Sequence, residues 1–171
     1  MRAFSIRKST RADIPQLIDF INESWVRTYA PLIGESVAEE LATAKHTQSL
    51  FEGEIDAADA LSLTAKDTQN RVIGHVGGFK KAQRCIYIDR LHVAPAWMGK
   101  GVAKDLVAAA ARDACSKDFE TLELTVLEGN DRAMSFYAKS GFVVDQARSP
   151  TEGLGDRKAI TMVREIGKGG N

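Results

Sequence analysis

The chain has 171 residues, of which 23 are basic and 23 acidic, for a formal net charge of zero. That length suits one domain with a sizeable buried core, and the balanced charge excludes a long-range field that would gather nucleic acid or an anionic membrane, so any anion must be held locally. Two cysteines exclude a disulfide framework, and neither falls at metal-ligand spacing, so no metal is expected.

The first residues, "MRAFSIRKST", carry no apolar h-region, and no later stretch approaches the roughly 20 apolar residues of a membrane span. The expectation is a cytoplasmic protein with no membrane or nucleic-acid partner. Phe4 and Ile6 alternate with polar neighbours, which predicts a strand over 3–9. Asp13 reads as a helix cap, with Pro15 in the first turn and Gln16 completing a capping box. Ile14, Leu17, Ile18, Ile21 and Trp25 then repeat at helical spacing. "YAPLIGES" (29–36) is expected to break that helix, a shorter one follows over 36–46, and 47–60 is acidic with no clear period.

From Leu61 the period changes. Strands are predicted over 61–67, 71–80 and 85–93, the first two joined as a hairpin by a short polar turn, and Pro95 ends the third. Cys85 lies in that third strand and Cys115 near the end of an alanine-rich helix over 101–115; both read as reduced, partly buried thiols. A strand over 121–128 precedes a helix that runs from an Asn130 cap to a Gly141 stop. "FVVDQAR" and "KAITMVRE" close the sequence as strands across the loop "SPTEGLGD", leaving 167–171 as a frayed tail. With no internal repeat or linker, the order predicts a single α/β domain over 1–166, one mixed sheet of six to seven strands with helices on both faces.

"APAWMGKGVAKDL" (94–106) places Gly99 and Gly101 around Lys100 just before a helix. A helix N-terminus offers N–H groups without internal partners and about half a positive charge, so it suits an anion; glycine allows close approach and unusual dihedrals. A plain structural turn is the competing reading. Two phosphate motifs fail: no P-loop can be completed around Lys100, and Lys104 stands where a dinucleotide fingerprint starting at Gly99 needs Gly or Ala.

"RLHVAPAWMGKGVAKDLV" resembles the acyl-CoA-binding segment of the GNAT superfamily of N-acetyltransferases, a strand ending in apolar-x-Val, a Pro, then [QR]-x-x-G-x-[GA]. Gly101 and Ala103 match, and Met98 departs from Gln or Arg. "LTVLEGNDRAMSFYAKSGF" resembles the family's next strand and helix, with Asn130, Ala133, Phe136, Tyr137, Gly141 and Phe142 in register. "ESWVRTYAPLIG" is similar to the substrate-side helix of small-molecule members, so the resemblance covers roughly residues 4–165.

The resemblance implies a mainly antiparallel sheet in which two parallel strands, here 85–93 and 121–127, splay apart to admit the pantetheine arm of acetyl-CoA. Backbone groups of Leu91, His92 and Val93 would hold the arm, one N–H there polarising the thioester carbonyl. N–H groups of Met98, Gly99, Lys100, Gly101, Val102, Ala103 and Lys104 would wrap the pyrophosphate, and Asn130 would contact the cofactor near the strand end. Tyr137 would protonate the departing thiolate; a packed aromatic is the competing reading. Asp89, expected to share a strand face with Leu91, would accept the amine proton through water, against an ordinary solvated carboxylate. His92 points away from Asp89 in a regular strand, and a bulge would reverse that argument. Trp25, Thr28 and Tyr29 would line the acceptor pocket with the 149–157 loop across it, Trp25 competing as core, while His46 and His75 read as structural.

The resulting expectation is an N-acetyltransferase moving an acetyl group from acetyl-CoA to a primary amine, a small molecule or a peptide N-terminus, by direct attack in a ternary complex; neither cysteine sits in a nucleophile setting. A homodimer is compatible with it. A non-catalytic acyl-CoA sensor on the same fold and an unrelated phosphate-binding α/β module are the alternatives, and the acceptor is not legible in the residues.

Overall fold

The computed structural model describes residues 3–148 and 158–167; the expectations for the 149–157 loop and for 168–171 fall outside them. Strands β1 (Phe4–Lys8), β2 (Leu61–Asp67), β3 (Val72–Ala82), β4 (Cys85–Val93), β5 (Thr121–Leu127), β6 (Val143–Val144) and β7 (Ala159–Glu165) form one sheet in the order β1-β2-β3-β4-β5-β7-β6. The β4–β5 pair is parallel and every other neighbouring pair antiparallel, so the expected α/β architecture is the one found. Helices α1 (Ile14–Ile33), α2 (Glu35–Lys45) and α3 (Gln48–Asp56) precede β2; α4 (Val102–Ser116) and α5 (Asp131–Lys139) flank β5 in sequence. Among the described residues no helix is long and apolar enough to cross a membrane.

The two faces of the sheet differ in chemistry. Leu61, Leu63 and Ala65 of β2 join Leu106, Val107 and Ala110 of α4 in the main core, with Phe136 and Tyr137 of α5 packed against it. The alternate residues Ser62, Thr64 and Lys66 are buried as well, but on the side of α1 and α3. There each is paired: Ser62 with His75 at 3.3 Å, Thr64 with Ser9 at 2.7 Å, Lys66 with Asp13 at 2.8 Å. A small apolar cluster of Ile14, Leu17, Ile21 and Phe51 closes that side. Period-2 alternation has therefore sorted apolar from hydrogen-bonded side chains while burying both.

Four local expectations are corrected. Helix α1 continues through Tyr29 and Pro31 and ends only at Gly34, whose φ is +90°; Pro31 lies in the last turn, where its missing N–H costs a single bond. Residues 48–56 form a helix capped by Thr47, which accepts from the Leu50 N–H at 3.2 Å; its buried side includes Glu54 as well as Phe51, so the apolar stripe is too thin to read. The capping box joins Thr10 and Asp13 rather than Asp13 and Gln16, with the Thr10 N–H donating to Asp13 Oδ2 at 2.8 Å. The strand expected over 142–148 shortens to Val143–Val144.

Asp13 ties the start of α1 to the sheet. Burial raises its carboxyl's pKa, but Arg7, Lys66 and Thr10 outweigh that and hold the group well below the usual carboxylate range. Asp13→Asn would leave the buried Lys66 ammonium uncompensated, so the variant is expected to lose about 3 kcal/mol of unfolding free energy in a urea titration at neutral pH. A loss within about 0.5 kcal/mol, the size of an ordinary surface substitution, would show that Asp13 does not anchor this corner.

Candidate active site

The parallel pairing of β4 and β5 covers only Cys85–Tyr87 against Thr121–Glu123. Beyond it, β4 stays paired to β3 as far as Val93 and β5 to β7 as far as Leu127. The two strands therefore diverge, and from Ile88 onward the β5-facing edge of β4 presents backbone groups that no strand satisfies among the described residues. A cleft of about 430 Å³ opens at this divergence, lined among others by Leu91, Val93, Trp97, Asn130 and Tyr137.

Its rim is the glycine loop. A short 3-10 turn, Pro95–Trp97, follows β4, and α4 starts after Gly101, which adopts the left-handed conformation at φ +85°. Gly99 has φ +74°, and a side chain added at either glycine would meet no protein atom within 4 Å. The protein's own packing thus leaves open the space beside both glycines, which line the cleft. The N–H groups of Met98 and Lys100 are turned inward, bonded to Pro95 and Trp97 carbonyls at 3.2 and 3.3 Å. Those of Gly99, Gly101, Val102, Ala103 and Lys104 have no such partner among the described residues, an arrangement suited to an anion. Gly74 of β3 lets α4 sit this close to the sheet, since a Cβ there would lie 2.9 Å from Leu106 and 3.0 Å from Val102.

Across the cleft, Asn130 caps α5, its Oδ1 accepting from the Ala133 N–H at 3.1 Å. Arg132 reaches back to Met98 Sδ at 3.8 Å, so the position that departs from the family pattern is met by a cation from α5. Tyr137 projects into the cleft between Phe136 and Phe142, ring centroids 5.1 and 5.5 Å away. Burial, and secondarily Tyr87, pushes its phenol up to about 12, so the hydroxyl keeps its proton at neutral pH. Tyr87 stands at the last β4–β5 pair, a place no local sequence pattern marks, since nothing nearby shows where two strands part.

On the other face of β4 the expected alternation fails. Gly77 pairs with Arg90 and Gly78 with Ile88, so Asp89 is an extra residue, a bulge in β4. Leu91 packs against the main core, whereas Asp89 contacts Lys45 of α2 at 3.6 Å and His92 Nδ1 shares a 2.8 Å hydrogen bond with Ser24 Oγ of α1. Asp89 and Leu91 do not share a face, which corrects the expectation; Asp89 and His92 do, on the side of α1 and α2. Trp25 and Tyr29 stack there at 4.2 Å, with Trp25 edge-on to His46 at 6.3 Å. Trp25 is half-buried and belongs to neither core cluster. Burial first, then the Asp89 charge, raises the Tyr29 phenol's pKa. Thr28 spends its hydroxyl proton on the Ser24 carbonyl at 2.9 Å. His46 and His75 are buried and bonded to Asn22 and Ser62.

Comparison with known proteins points one way. Residues 18–142 match the profile described as the acetyltransferase (GNAT) family. A spermidine N(1)-acetyltransferase of Thermoplasma acidophilum is 26% identical over 154 residues, 84% of this chain and 90% of that protein. An uncharacterized N-acetyltransferase of Mycobacterium tuberculosis is 29% identical over 104 residues, 61% of this chain; the match spans 66% of the relative's length. The crystal structure of the PaiA N-acetyltransferase from Thermoplasma acidophilum in complex with coenzyme A superposes with a TM-score of 0.79 at 27% identity, covering 96% of this chain and 99% of that one.

Burial keeps all three histidines neutral, with nearby positive charge, Arg90 included, adding to it: His46 is lowered to about 4, His92 to about 3 and His75 well below its ordinary value. In the unfolded chain each imidazole takes a proton near pH 6.5, so below that pH the unfolded state binds more protons. The stability that neutral burial confers above about pH 6.5 is then lost as the pH falls toward about 4. Glu54, raised by burial, opposes this as one group against three. The urea midpoint is expected to be lower at about pH 5 than at about pH 7.5; an equal or higher midpoint at the acid pH would contradict neutral burial of these side chains.

Proposed function

The chain belongs to the acetyltransferase (GNAT) family, and on that premise we propose that it transfers an acetyl group from acetyl-CoA to a primary amine by direct attack within a ternary complex. The observation that carries the proposal is the divergence of β4 from β5 ending at a glycine cradle. A linear arm with a phosphate at one end and a reactive carbon at the other fits that shape, because backbone edge and cradle lie on one cleft. The relative that acts on spermidine supports a small amine as acceptor.

In this reading acetyl-CoA supplies the activated acyl group, and the chain positions and protonates. The free N–H groups of Gly99, Gly101, Val102, Ala103 and Lys104 hold the pyrophosphate, with the Met98 and Lys100 side chains flanking them and Asn130 opposite. The open edge of β4 at Leu91 and Val93 hydrogen-bonds the pantetheine amides as an added strand would, the backbone of His92 between them facing β3, and one N–H there polarises the thioester carbonyl. The acceptor enters from the α1–α2 side along Trp25, Thr28 and Tyr29. As its nitrogen bonds to the acyl carbon and the C–S bond breaks, the ammonium proton passes through water to Asp89. His92, held neutral and weakly basic, orients the amine from the same face rather than taking its proton. Tyr137 donates to the departing sulfur. The burial that makes its phenol a weak acid also raises the basicity of a thiolate beside it, so a charge-assisted hydrogen bond forms first and the proton follows.

Turnover of acetyl-CoA against a panel of primary amines that includes spermidine, with release of free thiol as the readout, tests the activity. Tyr137→Phe is expected to lower kcat by about 10²–10⁴-fold while acetyl-CoA binding, measured by calorimetry, is nearly unchanged, because the ring that packs against Phe136 and Phe142 is retained. A kcat within about twofold of wild type, where chemistry limits turnover, would remove Tyr137 from proton transfer; binding without turnover of any amine would favour the sensor.

A further inference from the structure

Arg90 follows the bulge residue and is 4% exposed. Its guanidinium joins two carboxylates from different elements: Nη2 donates to Glu54 Oε1 of α3 at 2.6 Å, and Nη1 to Asp89 Oδ2 at 2.9 Å. The Phe51 ring lies 5.3 Å from it, and a methyl group at Gly77 would collide with it. Glu54 is 9% exposed; burial raises its pKa even against the pull of Arg90. An ion pair taken this far out of water is a poor source of stability, since an apolar pair of similar volume is often as good or better. What the pair does supply is direction. A bulge residue has no cross-strand partner to fix its side chain, and Arg90 gives Asp89 a rigid donor anchored on α3.

We propose that Glu54 and Arg90 form a positioning clamp that holds the Asp89 carboxylate toward the acceptor side of the cleft. Glu54 and Phe51 fix the guanidinium, Gly77 leaves room for it, and Arg90 fixes one oxygen of Asp89, leaving the other oxygen to Lys45 and to the incoming amine's water. Lys45 is nearly half exposed and moves aside readily, whereas Arg90 does not. This rests on the assignment of Asp89 as proton acceptor; the clamp residues themselves touch neither substrate nor cofactor.

The test is the double variant Glu54→Leu/Arg90→Met, which removes both charges together and leaves no buried ion unpaired. It is expected to keep its melting temperature within a few degrees and its acetyl-CoA dissociation constant within about twofold, yet to lose about 10–10²-fold in kcat, the scale on which small misplacements act. Gly77→Ala, whose methyl would press first on the guanidinium and also on the His75 ring at 2.8 Å without altering any charge, should give the same split and serves if the double variant does not fold. Adding Asp89→Asn to the double variant should cost no more than Asp89→Asn alone costs, since the clamp acts only through that carboxylate. A double variant or Gly77→Ala as fast as wild type, with Asp89→Asn slow, would overturn the clamp alone. Wild-type kcat in Asp89→Asn would overturn the assignment of Asp89 and the clamp with it.

Discussion

The structure depends on one departure from regular pairing: two parallel strands that hold together for a few residues and then part. The β3–β4 ladder holds its pairing to Val93 across bulges at Lys81 and Asp89, and β5–β7 pairs without a shift, so each strand of the parting pair keeps its other neighbour. Across the divergence, the backbone edges facing one another have no strand partner among the described residues. Buried, those groups would be costly; opening onto a cleft, they become a binding edge that an extended ligand can complete. The close seat of α4 against Gly74 then places the glycine cradle at the mouth of the same opening. The open edge and the glycine loop are thus fixed relative to one another by the packing of a single helix.

The second organising feature is the unequal chemistry of the two sheet faces. Under α4 the side chains are apolar and fix the cofactor side rigidly. Under α1 and α3 the sheet carries Ser62, Thr64, Lys66, His75, Arg90 and His92, nearly all bonded to a partner and mostly out of water. That face is expensive to build and confers little net stability, which is reasonable where an amine must be oriented and relieved of a proton. In the proposed reaction the apolar side delivers the acyl group and the polar side handles the amine, with β4 as the partition between them.

What the sequence revealed was local. Gly99 and Gly101, the Asn130 cap and the position of Tyr137 two turns later are set by dihedrals, caps and helical period, all written within a few residues, and the structure brings these positions onto one cleft. The facing of Asp89 was not legible, because it depends on Gly77 and Gly78 pairing across the sheet with a strand that holds one residue more. A single bulge reverses every inside–outside inference beyond it. Helix α3 is hidden for a related reason: its buried side includes Glu54, whose partner Arg90 is distant in sequence, and a buried charge looks like a surface one until its partner is known. The extent of α1 is not legible in 29–36 because Pro31 stands in the last turn, where the helix tolerates it, and the chain turns out of the helix only at Gly34.

Amide hydrogen exchange across β4, with and without saturating acetyl-CoA, tests the central claim most directly. If the ligand's arm completes the open edge of β4, exchange between Leu91 and Val93 and at the first residues of α4 slows markedly on binding, while the β1–β2 ladder is unaffected. Binding that leaves the β4 amides exchanging at their free rate would contradict the account, since the diverging strands would then not be where the ligand lies.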